Sequence, residues 1–167
     1  MPEKETLRRA RRDRAQGKAP STQAGEFVRE EIHHIREGRH GAGSTKQAIA
    51  IGLSKARRSG VKLGRPPRSA KASTKRSAAS ASRAAQRGAR PSARRARATS
   101  RTLKREGRSG ASRQALSRQT KTAARRRSPA NRRAAARKAA RTKGPQVRRA
   151  AARKAARTRQ RRSQATA

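Results

Sequence analysis

Arg133, Arg137 and Arg141 stand four residues apart, and Arg149, Arg153 and Arg157 repeat that spacing sixteen residues further on. On a helix each trio lies along one face. A guanidinium is planar, permanently charged and able to grip a phosphate through two parallel N–H···O bonds, so a stripe of arginines is chemistry for a polyphosphate. Arg132, Lys138, Arg148 and Lys154 accompany the two trios, and Arg125, Arg126 and Arg127 precede them. Lys55, Arg57 and Arg58 close a candidate helix nearer the N-terminus, where cations suit the negative end of the helix dipole and are equally placed to touch phosphate. Together these are the candidate DNA-binding residues.

Other chemistry is scarce. The chain has no Cys, so neither a disulfide nor a thiolate metal site is available. His33 and His34 are adjacent and point about 100° apart on a helix. The nearby Glu30, Glu31 and Glu37 read as helix-surface charges that pair with Arg29 and Arg36 or meet a basic surface, so no metal and no cofactor are expected. Gly38, Gly43, Ser44 and Thr45 approach the P-loop spacing, but the lysine and the preceding strand are missing. The only Asp is Asp13, which leaves no Ser/His/Asp arrangement to build. The chain is not expected to be an enzyme.

The balance of charge points to the partner. Fifty Lys+Arg stand against eight Asp+Glu, a formal net charge of +42. Residues 64–167 hold 35 of the basic residues and one acid, Glu106, a net +34. Self-repulsion on that scale needs a counter-charge, and nucleic acid is the abundant polyanion. Phe27 is the sole aromatic, so there are no platforms for stacking single-stranded bases, and duplex DNA is favoured over RNA. The alanine-rich repeats offer no broad apolar face for a membrane surface. Phosphate contacts carry no base information, so binding should be tolerant of sequence.

The elements that must position these cations look thin. Of the 50 apolar residues 36 are Ala, leaving 14 larger side chains, nine of them in 21–63. Leu, Ile, Val and Phe are far below the ~20% of ordinary globular chains, which predicts that most of the length cannot offset its conformational entropy. The expected fold is mostly α with extensive disorder. Ala24, Val28, Ile32 and Ile35 fall on one helical stripe over about 22–37, and Ile49, Leu53 and Ala56 on another over about 45–59. Ser44 to Gln47 fits a capping box, Gly60 suits a helix stop, and the short linker predicts a small antiparallel αα-hairpin. The expected organisation is a flexible basic leader over 1–20, the hairpin within 21–63 and a disordered linker over 64–98. A degenerate repeat with a weak helix follows over 99–127, then an Arg/Ala tail over 128–167 whose short helices form on a polyanion. RRAAARKAART occurs twice in that tail, at 132–142 and 148–158. A looser repeat relates Arg36–Arg58 to Arg105–Arg126 through R-E-G-R, a small-residue loop and [K/R]-Q-A-[I/L].

The segment Lys46-Gln47-Ala48-Ile49-Ala50-Ile51-Gly52-Leu53-Ser54, followed by a basic run, resembles a family of small basic bacterial proteins of uncharacterised activity that are often labelled DNA-binding. The resemblance covers about Ser21–Leu63 and implies no site residues. The tail is similar in composition to those of linker-histone-like bacterial proteins, with Arg in place of most of the Lys. The expectation is a cytoplasmic, nucleoid-associated, histone-like DNA-binding protein that neutralises and bridges phosphate backbones, with the hairpin face as a route to a homodimer. The alternatives are an RNA- or ribosome-associated basic protein, or a partner-binding hairpin carrying a cationic tail.

Overall fold

The computed structural model of the chain describes residues 2–88 and 92–164. They form seven α-helices: α1 (Lys4–Ala15), α2 (Pro20–Arg36), α3 (Thr45–Arg58), α4 (Ala72–Gln86), α5 (Ala93–Arg105), α6 (Arg113–Arg125) and α7 (Pro129–Gln164). A 3-10 turn, Ser109–Ala111, precedes α6, and no strand occurs among the described residues. The chain divides into two units, Met1–Gln119 and Thr120–Ala167.

The first unit is built around α2 and α3, which pack on each other more extensively than any other pair. Ser44 caps α3, its hydroxyl accepting from the Gln47 N–H at 3.2 Å, and the Gln47 side chain accepts from the Gly43 N–H at 3.1 Å. Gly60 takes the left-handed conformation at φ +86°, and the Val61 N–H returns to the Ala56 carbonyl at 3.1 Å. The start of α2 differs from the sequence expectation. It begins at Pro20 rather than about 22, with Ala19 as its N-cap and Pro20 in the first turn, where the missing N–H costs nothing. The two helices approach closely because Gly52 faces Val28: a Cβ there would lie 2.7 Å from the Val28 Cα.

Two small cores lie along this pair. Ala10, Ala24, Phe27 and Ala56 form one, with Leu7, Leu53, Val61 and Leu63 at its edge. Ile32, Ile35, Ala42, Ala48 and Ala111 form the other, with Val28 and Leu116 packed against it. The second core joins the two R-E-G-R loops. The Gly41 and Ala42 N–H groups donate to the Leu103 and Gly107 carbonyls at 2.8 and 2.9 Å. The Thr45 hydroxyl donates to the Gly110 carbonyl at 2.7 Å, and the Arg36 Nε to the Ala111 carbonyl at 2.9 Å. Leu116, which aligns with Ile49 in the looser repeat, thus contributes to the core of the first copy.

The expectation of extensive disorder around a small hairpin is corrected by this architecture. The 1–20 segment is α1, packed on α2 with Thr6, Ala10 and Asp13 buried. The 64–98 segment contains α4, which packs on α3 and buries Ala81, and the start of α5. The chain is therefore not intrinsically disordered, and α2 and α3 do not stand alone. The physical reason is alanine. Seven of the ten buried apolar residues among those described are Ala. Burying Ala costs no side-chain entropy and lets backbones approach closely enough for dispersion to act over the whole contact. Counting only large side chains missed that core.

The second unit is dominated by α7, two helical stretches joined at Gly144, whose φ of +64° and ψ of 168° break the helix before Pro145. The expectation that this tail is frayed without a polyanion is likewise corrected. Each arginine trio contains two like-charge i,i+4 pairs, which cost roughly 1 kcal/mol together. Alanine gains about 0.5 kcal/mol over average residues at each of several positions per repeat, and local propensity wins.

Candidate nucleic-acid interface

The two copies of RRAAARKAART fold alike. Ser128 caps the first, its hydroxyl accepting from the Asn131 N–H at 3.2 Å, and Pro129 opens it. Gly144 ends it and Pro145 begins the next, a glycine stop followed by a proline start. The Thr142 hydroxyl donates to the Lys138 carbonyl at 2.9 Å, and the Thr158 hydroxyl to the Lys154 carbonyl at the same distance.

Every candidate contact in this unit is exposed: Arg125, Arg126, Arg127, Arg132, Arg133, Arg137, Lys138, Arg141, Arg148, Arg149, Arg153, Lys154 and Arg157. Arg133, Arg137, Lys138 and Arg141 line one shared surface with Ala130 and Ala134, so the small residues leave the cationic heads unscreened by bulk. Residues 120–167 contain 18 Lys+Arg and no Asp or Glu. No side-chain carboxylate of this unit therefore competes for those cations.

The three candidates on α3 sit differently. The Lys55 Nζ lies 2.6 Å from Glu31 and 3.6 Å from Glu30, whose side chains are almost completely buried. Arg57 donates to the Leu63 and Gly64 carbonyls at 3.0 and 2.7 Å, holding the turn after α3. Arg58 is exposed. The structure thus brings Lys55 and Arg57 into internal contacts and leaves Arg58 alone of the three facing solvent.

The acids of the first unit meet neighbouring cations. Arg9 pairs with Glu26 at 2.8 Å, Lys18 with Asp13 at 2.7 Å, and Arg39 with Glu37 at 3.0 Å and Glu3 at 2.8 Å. A hydrogen bond from His34, and then one from Arg39, holds the Glu3 carboxyl below the usual carboxylate range, and Glu3 in turn raises the Arg39 guanidinium. A second cluster was not foreseen. Glu31, His34 and His40 each offer a ligand atom within 4.8 Å of the others. Sequence reasoning tested the adjacent His33 and His34, but His33 points outward to Glu37 at 2.9 Å. The usable signal was Glu31 and His34 at i,i+3 on one helix face, with His40 just beyond the glycine that turns the chain back.

Residues 17–68 match the sequence model of a family described as Family of unknown function (DUF6496). The match spans α2, α3 and the turn after them, under a third of the chain, and its description names no ligand, so it supplies no DNA-binding label. No curated protein matches the chain. No solved structure matches it either. Among the described residues no helix is long and apolar enough to cross a membrane.

Proposed function

We propose that this chain binds polyphosphate backbones, duplex DNA foremost, without reading base sequence, and that it acts at the nucleoid. The supporting observation is the exposed cationic face carried by both α7 repeats in a unit with no Asp or Glu. Three arginines at i, i+4 and i+8 span about 12 Å of helix, a length over which duplex DNA presents about seven phosphates. The face therefore meets more than enough negative charge, and binding is driven by counterion release. The scarcity of aromatics weighs against single-strand readout.

The test is a salt-titrated shift assay on unrelated duplexes, comparing the full chain with a variant in which Arg133, Arg137, Arg141, Arg149, Arg153 and Arg157 are all Gln. Loss of six phosphate contacts should lower the slope of log K against log salt by about 5. Unchanged affinity and slope in that variant overturn the reading. Tighter binding to structured RNA than to duplex DNA at equal salt replaces DNA with RNA as the partner.

A further inference from the structure

We propose that Glu31, His34 and His40 hold one divalent metal ion of the zinc class, independently of the nucleic-acid reading. The donor set is two imidazoles and a carboxylate, the combination that such ions favour, and three protein donors leave a position for water. Glu31 and His34 come from α2, where i,i+3 spacing puts them on one face, and His40 comes from the loop that Gly38 turns back at φ +81°. Glu31 is completely buried, and the side chains of His34 and His40 are 10% and 18% exposed. A polar surface depression lined by His40, Arg39, Lys104, Glu106 and Arg108 exposes the His40 edge of the site to solvent.

The arrangement around His40 carries the argument. Its Nδ1 lies 3.0 Å from the Gly41 carbonyl, which only accepts, so Nδ1 bears the proton. In the neutral ring Nε2 then presents a lone pair, and it faces the Glu31 Oε1 at 3.2 Å. Two lone pairs at that distance need a positive charge between them, which a proton or a metal ion supplies. Neither Glu31 oxygen has a well-directed hydrogen bond, although the Lys55 Nζ lies 2.6 Å from the other oxygen and offsets part of its charge. The Nδ1 contact to a backbone carbonyl is also the outer-shell support that metal-bound histidines use to fix tautomer and ring orientation. Tetrahedral ligation at about 2.0–2.1 Å places donor atoms about 3.3 Å apart. The present spacing of up to 4.8 Å therefore closes by up to about 1.5 Å on binding, while His40 Nε2 and Glu31 Oε1 already stand at the ligand spacing.

The experiment uses the full chain, stripped with chelator and desalted. Titration with Co2+ should give a saturable visible band at one equivalent, which Zn2+ then displaces. In the unmodified protein, Zn2+ should shift the ring resonances of His34 and His40 and leave those of His33 in place. His34→Gln and His40→Gln should each weaken binding by about a hundredfold, no less than loss of an outer partner costs, while His33→Gln leaves it unchanged. The proposal is overturned if no saturable band appears, if His33 is the residue that responds, or if the band survives both ligand substitutions. The resonance experiment decides the matter even if a substituted chain fails to fold.

Discussion

Lys55 is the side chain on which two buried carboxylates converge. Glu30 and Glu31 are 4% and 0% exposed, and removing their ammonium partner leaves charge in a low-dielectric interior. Lys55→Met, which keeps the stem and deletes the charge, is expected to lower stability by about 3 kcal/mol in urea unfolding. Its effect on the salt slope of DNA binding should be below one contact. Glu3 gives the pH dependence. Its folded carboxyl titrates below the usual range, so it stabilises the fold above that range and loses its effect as pH falls through the lowered value. With chelator present, Glu3→Gln should flatten the acid limb of Tm against pH, and an unchanged limb would place the acid sensitivity elsewhere. At this scale the sequence was only partly legible. The charges of Lys55 and Arg58 are identical on paper. Only the fold shows that one faces Glu31 and the other water.

At the scale of the helix, the decisive position is Gly52. Alanine there gains about 1 kcal/mol in helix propensity, but its Cβ would press on the Val28 backbone and force α2 and α3 apart. Overpacking typically costs 1–3 kcal/mol, and because the obstacle is backbone the upper part of that range applies, so Gly52→Ala should be net destabilising by about 1–2 kcal/mol in chemical denaturation. The ends of α3 were legible because capping is local: Ser44, Gln47 and Gly60 act within one turn. The helices α1 and α4, which pack on this pair, were not. Periodicity of large apolar residues is the signal used to find an amphipathic helix, and α4 has none, since its buried side chain is Ala81. Nor can spacing alone reveal that the Arg105–Arg108 loop would dock on the Gly41–Ala42 loop.

For the molecule as a whole, the two signs of charge are segregated. All eight acids lie at or before Glu106, and the 18 cations of 120–167 have no Asp or Glu among them. If six to ten of those cations engage phosphate, affinity should fall about 10³- to 10⁵-fold between 50 and 200 mM salt in a filter-binding or shift assay. That imbalance was fully legible, because composition needs no fold. Its geometry was not, and there Gly144 matters most. A repeat of sixteen residues in an unbroken α-helix advances the second arginine trio by about 160° around the axis. A continuous rod would thus aim its two grips to nearly opposite sides and tie separate duplexes together. The left-handed step at Gly144 breaks that phase, and on the proposed reading this would let both halves meet a single duplex. Splicing the joint with Gly144→Ala and Pro145→Ala should turn a clasp into a cross-linker, visible as enhanced pelleting of long DNA at unchanged affinity for a short one.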